Sequence, residues 1–220
     1  VRPAQARVDW SHPLAAGLTV LCVADGPIYR SLATGTVAQF SPVNPPKDTQ
    51  FGRGYDHAGN TAGNANPRVS GFLAHTGPAT WFAAGLFTGD NTSRFKGVAC
   101  VRSGTLHGLA TGSTGQVINL WYGTSEVVNG PTFTITTPVT MVGSASTSAC
   151  RLNVNGSVTT AAGVSAASLS GQPMEIGGDN FAAGTRNWLG TLNIVGMSLR
   201  QWSPTEEAMF IADPFCMLRS

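Results

Sequence analysis

The chain has 220 residues, with 13 Lys or Arg against 11 Asp or Glu, a formal net charge of +2. Hydrophobic residues make up 42%, which suits a real core and excludes a disordered chain. Charged residues make up only 11%, against about 25% in an ordinary soluble domain, so either Ser, Thr, Asn and Gly supply the polar surface or a partner covers part of it.

In chain order, residues 1–17 come first. With Arg2, Pro3, Trp10, His12 and Pro13 they read as an N-terminal extended arm. The arm either reaches a neighbouring subunit or packs along the edge of its own domain. Residues 18–220 then read as one domain. Leu18–Ala24 is a continuous apolar run and predicts a buried strand; Thr80–Phe87 predicts a second. The stretch Phe40–Pro67 is rich in Pro, Gly and Asn and reads as a long surface loop, with one short strand near Phe51–Tyr55. Phe95–Val101, Val117–Tyr122, Thr132–Thr136 and Val139–Ala145 follow as strands. Arg151–Val154 and Ser157–Thr160 flank Asn155-Gly156, the dipeptide that best tolerates the positive φ of a type I′ hairpin turn. Met174–Gly177 and Thr191–Trp202 complete the strands. One short helix is expected after Ser203-Pro204-Thr205-Glu206, a capping box with Pro in the first turn; Asp213-Pro214 ends it. Many short strands with a single helix predict an all-β fold, a two-sheet antiparallel jelly-roll sandwich with one short C-terminal helix.

Several chemistries fit poorly. Only Lys47 and Lys96 are lysines and no basic run occurs, so no nucleic acid is expected as partner. No apolar run approaches the roughly 20 residues that span a bilayer, so no membrane is expected either. The first residues show no signal-peptide pattern, which predicts synthesis in a cytoplasm. Cys22, Cys100, Cys150 and Cys216 are too scattered for a zinc site and read as reduced, mostly buried thiols. Glycoside hydrolysis needs two carboxyl groups facing one bond, yet no acid pair stands at i and i+2; Glu126 and Glu175 are isolated and Glu206-Glu207 belong to the helix. His12, His57, His75 and His107 suggest no triad. Asp179 and Asn180, after Gly177-Gly178, suit a turn better than a calcium loop. The reading is of a protein that is not an enzyme and takes no cofactor. Among the tryptophans, Trp81, Trp121 and Trp202 are assigned to the core. Trp188 lies in a turn region and is the candidate for an exposed platform, with Asp179 and Asn180 as possible glycan contacts.

The string ACRLNVNGSVTT resembles the strand–Asn-Gly–strand hairpin of laminin-G-like, concanavalin A-like domains. The string from Met174 to Phe215, with IGG, an alternating strand and a short capped helix, resembles the close of that fold, and ATWFAAGLF its early strand. Val8–Gly26 and Ala212–Leu218 resemble the opening and the ending of jelly-roll proteins of tailed bacteriophages. That resemblance implies a virion component: a capsid decoration protein, homo-oligomeric, contacting the major capsid protein or other virion proteins through Arg2, Pro3, Trp10, His12 and Pro13. The alternative is a glycan-binding module of a fibre or tail.

Overall fold

The computed structural model describes residues 6–25, 28–33, 36–38, 47–57, 66–70, 75–89, 96–103, 105–112, 116–122, 125–165, 168–169, 172–178 and 188–220. The strands in chain order are β1 (Arg7–Val8), β2 (Leu18–Asp25), β3 (Ile28–Ser31), β4 (Thr36–Ala38), β5 (Lys47–Thr49), β6 (Gly52–Asp56), β7 (Arg68–Ser70), β8 (His75–Thr76), β9 (Ala79–Phe87), β10 (Gly97–Ser103), β11 (Thr105–Thr111), β12 (Val117–Tyr122), β13 (Ser125–Thr132), β14 (Pro138–Ala145), β15 (Ala149–Val154), β16 (Ser157–Ala162), β17 (Ser168–Leu169), β18 (Met174–Ile176), β19 (Gly190–Ser198) and β20 (Leu218–Arg219); the helix α1 (Pro204–Ala212) lies between the last two.

Two antiparallel sheets face each other. One has seven strands in the order β13-β12-β11-β10-β18-β7-β4. The other has nine: the path β16-β15-β14-β9-β19-β2-β3, with β6 against β19 and β5 against β6. The fold is therefore the expected all-β sandwich with one short C-terminal helix. The core between the sheets collects Val20, Trp81, Phe87, Leu109, Leu120, Met141 and Leu152, among others. Successive residues of a strand point to opposite faces, which explains the unbroken apolar runs. Trp81, Ala83 and Phe87 of β9 face this inner core, while Phe82 and Ala84 face a second core on the far side of the nine-stranded sheet. Val142, Ile194, Trp202, Phe210, Phe215 and Met217 share that second core. Phe82 stacks on Trp202 at 4.7 Å and meets Phe210 edge-on at 5.0 Å.

The helix forms as its sequence dictates. The Ser203 hydroxyl accepts from the Glu206 amide and the Glu206 carboxylate accepts from the Ser203 amide, satisfying two otherwise unpaired donors. Asp213 closes the helix before Pro214. Two ion pairs fasten it: Arg151 to Glu207 at 2.9 Å and Arg200 to Glu206 at 2.6 Å. The first pair is nearly buried, so removal of either partner would strand a charge. The hairpin turn is also as expected, with Asn155 at φ 51° and Gly156 at φ 88°.

Some expectations shift. The strand placed at Thr132–Thr136 is instead β13, which stops at Thr132; Thr136 takes φ 64°, which no strand accommodates. Phe133 still reaches the core against Phe87 at 5.6 Å, so its alternation reflects burial without strand geometry. In the described part of the Phe40–Pro67 segment, residues 47–57 and 66–67, two paired strands stand where one was expected, β5 and β6; the rest of that loop expectation lies outside the described residues. The described part of the N-terminal segment lies on its own domain: β1 pairs with β20, and Val8, Leu14 and Ala15 are buried in the second core.

Candidate functional site: the outer face of the seven-stranded sheet

The strand VINLWY positions the site. Its alternate residues Ile118, Leu120 and Tyr122 enter the inner core. By the pleat, Asn119 and Trp121 must then face outward. Register carries that face across the sheet, because directly paired residues share a side. Trp121 pairs with Gly108, Gly108 with Cys100, Cys100 with Glu175, and Glu175 with Arg68. In the adjoining row Ala110 pairs with Asn119, and Asn119 with Asn129. Cys100, Leu106 and Ala110 form a small apolar cluster separate from the inner core, and Trp121 packs against it.

The result is a strip with a definite chemistry. Its middle consists of small side chains, Gly108, Ala110 and Cys100, all of them buried, and its exposed groups stand at the ends. Gly108 has φ +128°, and a Cβ there would collide with the Ala99 carbonyl oxygen, so both backbone and packing require glycine. At one end stand the half-buried Trp121, the buried Asn119 amide and the exposed Asn129 amide. At the other end the Arg68 Nε donates to Glu175 Oε1 at 2.8 Å. The Glu175 side chain is only 4% exposed and Arg68 30%, so the carboxylate is shielded and the guanidinium edge reaches solvent. An aromatic face, amides and a planar ion pair suit a ligand with both C–H faces and hydroxyl groups. Three other described carboxylates are held in a similar way: Asp56 meets Lys47 at 2.7 Å, and Glu206 and Glu207 hold the helix arginines. Among the described residues, no three His, Cys, Asp or Glu side chains cluster in a way that could hold a metal ion.

The residues singled out from sequence distribute differently. Trp10 is 58% exposed. His12 caps a short 3₁₀ turn, its Nδ1 accepting from the Leu14 amide at 3.3 Å, and the Pro13 carbonyl accepts from Arg200 at 2.7 Å. Arg2, Pro3, Asp179 and Asn180 lie outside the described residues. The expectation that Trp188 offers a glycan platform is corrected: its side chain is fully buried against Phe87, with ring centroids 4.7 Å apart. Trp121, assigned to packing from sequence, does pack, half-buried against the small cluster of Cys100, Leu106 and Ala110, but on the outer side of the seven-stranded sheet and not in the core between the sheets. The signal was present in the alternation of VINLWY, which sets Trp121 with Asn119 and opposite three apolar neighbours.

A buried polar cluster lies at another place in the sandwich. The Tyr29 hydroxyl lies 3.0 Å from His57 Nε2 and 3.1 Å from the Leu192 carbonyl oxygen, and Tyr55 meets the His57 ring edge-on at 4.9 Å. Burial pushes the His57 imidazole down to about 3, so it stays neutral, while a hydrogen bond with Asn66 acts in the opposite direction. This cluster is interior and positions no exposed group.

No protein-family model matches the sequence, and no curated protein matches it. Solved structures with the same fold do. The binding domain of Paraclostridial Mosquitocidal Protein 1 superposes with a TM-score of 0.69 at 10% identity, covering 91% of this chain and 53% of that one. Trypanosoma rangeli sialidase in complex with sialic acid matches with a TM-score of 0.61 at 10% identity, over 91% of this chain and 33% of that one. Domain 4 of AbnA, a GH43 extracellular arabinanase from Geobacillus stearothermophilus, in complex with arabinotriose, matches with a TM-score of 0.57 at 10% identity, over 89% of this chain and 98% of that one. This chain thus spans about half of the toxin domain and a third of the sialidase. At such identity the likeness shows the fold alone, and the class it defines is the β-sandwich module found in both enzymes and binding domains. The expectation of a phage capsid decoration protein is overturned here. The matching folds belong to carbohydrate-processing proteins and a toxin binding domain, and none of these three is a virion protein.

Proposed function

We propose that this protein is a glycan-binding module that holds its ligand on the outer face of the seven-stranded sheet. One observation carries the reading: Trp121 is partly exposed on that face, with the exposed amide of Asn129 on the neighbouring strand. A sugar ring presents an apolar C–H face that stacks on the indole, with hydroxyls that suit the Asn129 amide; the Arg68 guanidinium lies four strand spacings away, roughly 19 Å, and would meet a further ring of an oligosaccharide. The sialic acid and arabinotriose bound by two proteins of this fold add support for a carbohydrate ligand. Binding requires no proton transfer, in keeping with a Glu175 carboxylate already engaged by Arg68.

The test is a glycan array followed by calorimetry on the best ligand. Trp121→Ala is expected to weaken binding at least about tenfold, a loss of about 1.4 kcal/mol, with the fold intact because Trp121 lies outside the inner core. An array without hits, or unchanged affinity in the variant, would sink the reading.

A further inference from the structure

The edges of the two sheets are not alike. A strand at the edge of a sheet exposes unpaired N–H and C=O groups, and proteins blunt such edges with charges, prolines, bulges or brevity. The edge strand β13 contains Glu126 and Pro131, and its pairing with β12 shifts register twice. The edge strand β3 contains Arg30, whose guanidinium reaches back to the Ala6 carbonyl at 3.1 Å. The strand β4 has only three residues, and β5 contains Lys47 and Asp48. The remaining edge, β16, reads SVTTAA. It has six residues, no charge and no proline, and its register with β15 runs unbroken from Val154–Ser157 to Ala149–Ala162.

Hairpin geometry fixes which groups β16 offers. After a two-residue turn the flanking pair Val154–Ser157 exchanges both hydrogen bonds, and bonded and non-bonded pairs then alternate. Ser157, Thr159 and Ala161 therefore bond to β15, while Val158, Thr160 and Ala162 turn their N–H and C=O outward. All three of these residues are exposed, Val158 at 54%.

We infer that β16 is a homodimer edge: the β16 strands of two copies pair antiparallel and join their nine-stranded sheets across a two-fold axis. A second copy is the occupant that the strand itself specifies. Pairing about Thr160 sets Thr160 opposite Thr160 of the partner copy and Val158 opposite the partner's Ala162, so the outward donors and acceptors match without any charge to desolvate. A two-fold contact of this kind needs only one self-complementary patch. A strand about 20 Å long covers less than the roughly 800 Å² a side of a standard stable interface. Part of the remainder can come from the same outer face, where α1 lies across β14 and β15 and Met209 is 39% exposed. The small area implies a weak, concentration-dependent dimer.

Sedimentation velocity on the full chain, from about 1 µM to about 1 mM, tests this. The expected result is a monomer that converts to a dimer as concentration rises, with amide hydrogen exchange at Val158, Thr160 and Ala162 slowing in parallel. Thr160→Pro removes the central outward N–H without touching the β15 ladder, and Thr160→Lys places like charges directly opposite each other on the paired strands. Each folded variant is expected to raise the dissociation constant at least about tenfold. A wild-type chain that stays monomeric throughout would overturn the proposal, as would a dimer that persists unchanged in both variants.

Discussion

The two sheets turn opposite kinds of outer face away from the core. Outside the nine-stranded sheet the cover is largely apolar: Phe82, Ala84, Val142 and Ile194 lie under Trp202, Phe210, Phe215 and Met217, with Thr80, Ser144 and the Arg151–Glu207 pair hydrogen-bonded beside them. Outside the seven-stranded sheet, the row from Arg68 to Trp121 is mixed and holds small residues at its centre. The first face is finished by the protein's own chain, through α1 and residues 8–15. The second carries an aromatic ring and amides that the inner core does not use. A pleated strand can serve two cores or one core and one ligand. The residues at alternate positions decide which.

Breaking the covered face should cost most. Trp202→Ala removes a fully buried ring that stacks on Phe82, and is expected to lower unfolding stability by about 3–5 kcal/mol. Trp121→Ala on the outer face of the seven-stranded sheet is expected to lower it by less than about 1.5 kcal/mol while weakening the proposed glycan binding at least about tenfold. Chemical denaturation of both variants measures the contrast, and equal losses would show that the two faces are not distinct in kind.

Acid probes the interior between them. His57 is neutral in the fold, with its imidazole pushed down to about 3, against an ordinary value of about 6.5. The unfolded chain binds the proton first, so stability attributable to His57 is complete above about pH 6.5. It then falls by about 1.4 kcal/mol for each unit of pH, flattening as pH nears 3. Denaturation at pH 7 and pH 5.5 should show this decrease in the wild type and a smaller one in His57→Gln. The same slope in both chains would remove His57 as its source.

The smallest effect belongs to the cap that fastens the cover. Ser203→Ala deletes one acceptor of the capping box and is expected to cost about 1 kcal/mol. A calorimetric scan reads it as a modest fall in Tm; no change would mean that the ion pairs of Arg151 and Arg200 hold the helix by themselves.

Local signals read well from the residues. The run LTVLCVA, the Asn155-Gly156 turn and the box from Ser203 to Glu206 each depend on neighbours a few positions away, and each appears as expected. Longer-range facts did not read so well. The strand β11 was not foreseen because His107 and Gly108 interrupt its alternation, yet Gly108 is there to let β10 approach closely. Glu175 looked isolated because its partner Arg68 lies 107 residues earlier. Trp188 looked exposed because a turn-like neighbourhood says nothing about a phenylalanine 101 residues away.

By itself the sequence determined β2, β9, β12 and β14, the hairpin and the capped helix, since backbone preference and side-chain periodicity act over a few residues. Tertiary structure alone decided which face of each sheet would be covered, that Trp188 would be fully buried while Trp121 stays partly exposed, and that β16 would end a sheet. Those outcomes depend on strand order and register, and these are set by contacts between residues far apart in the chain.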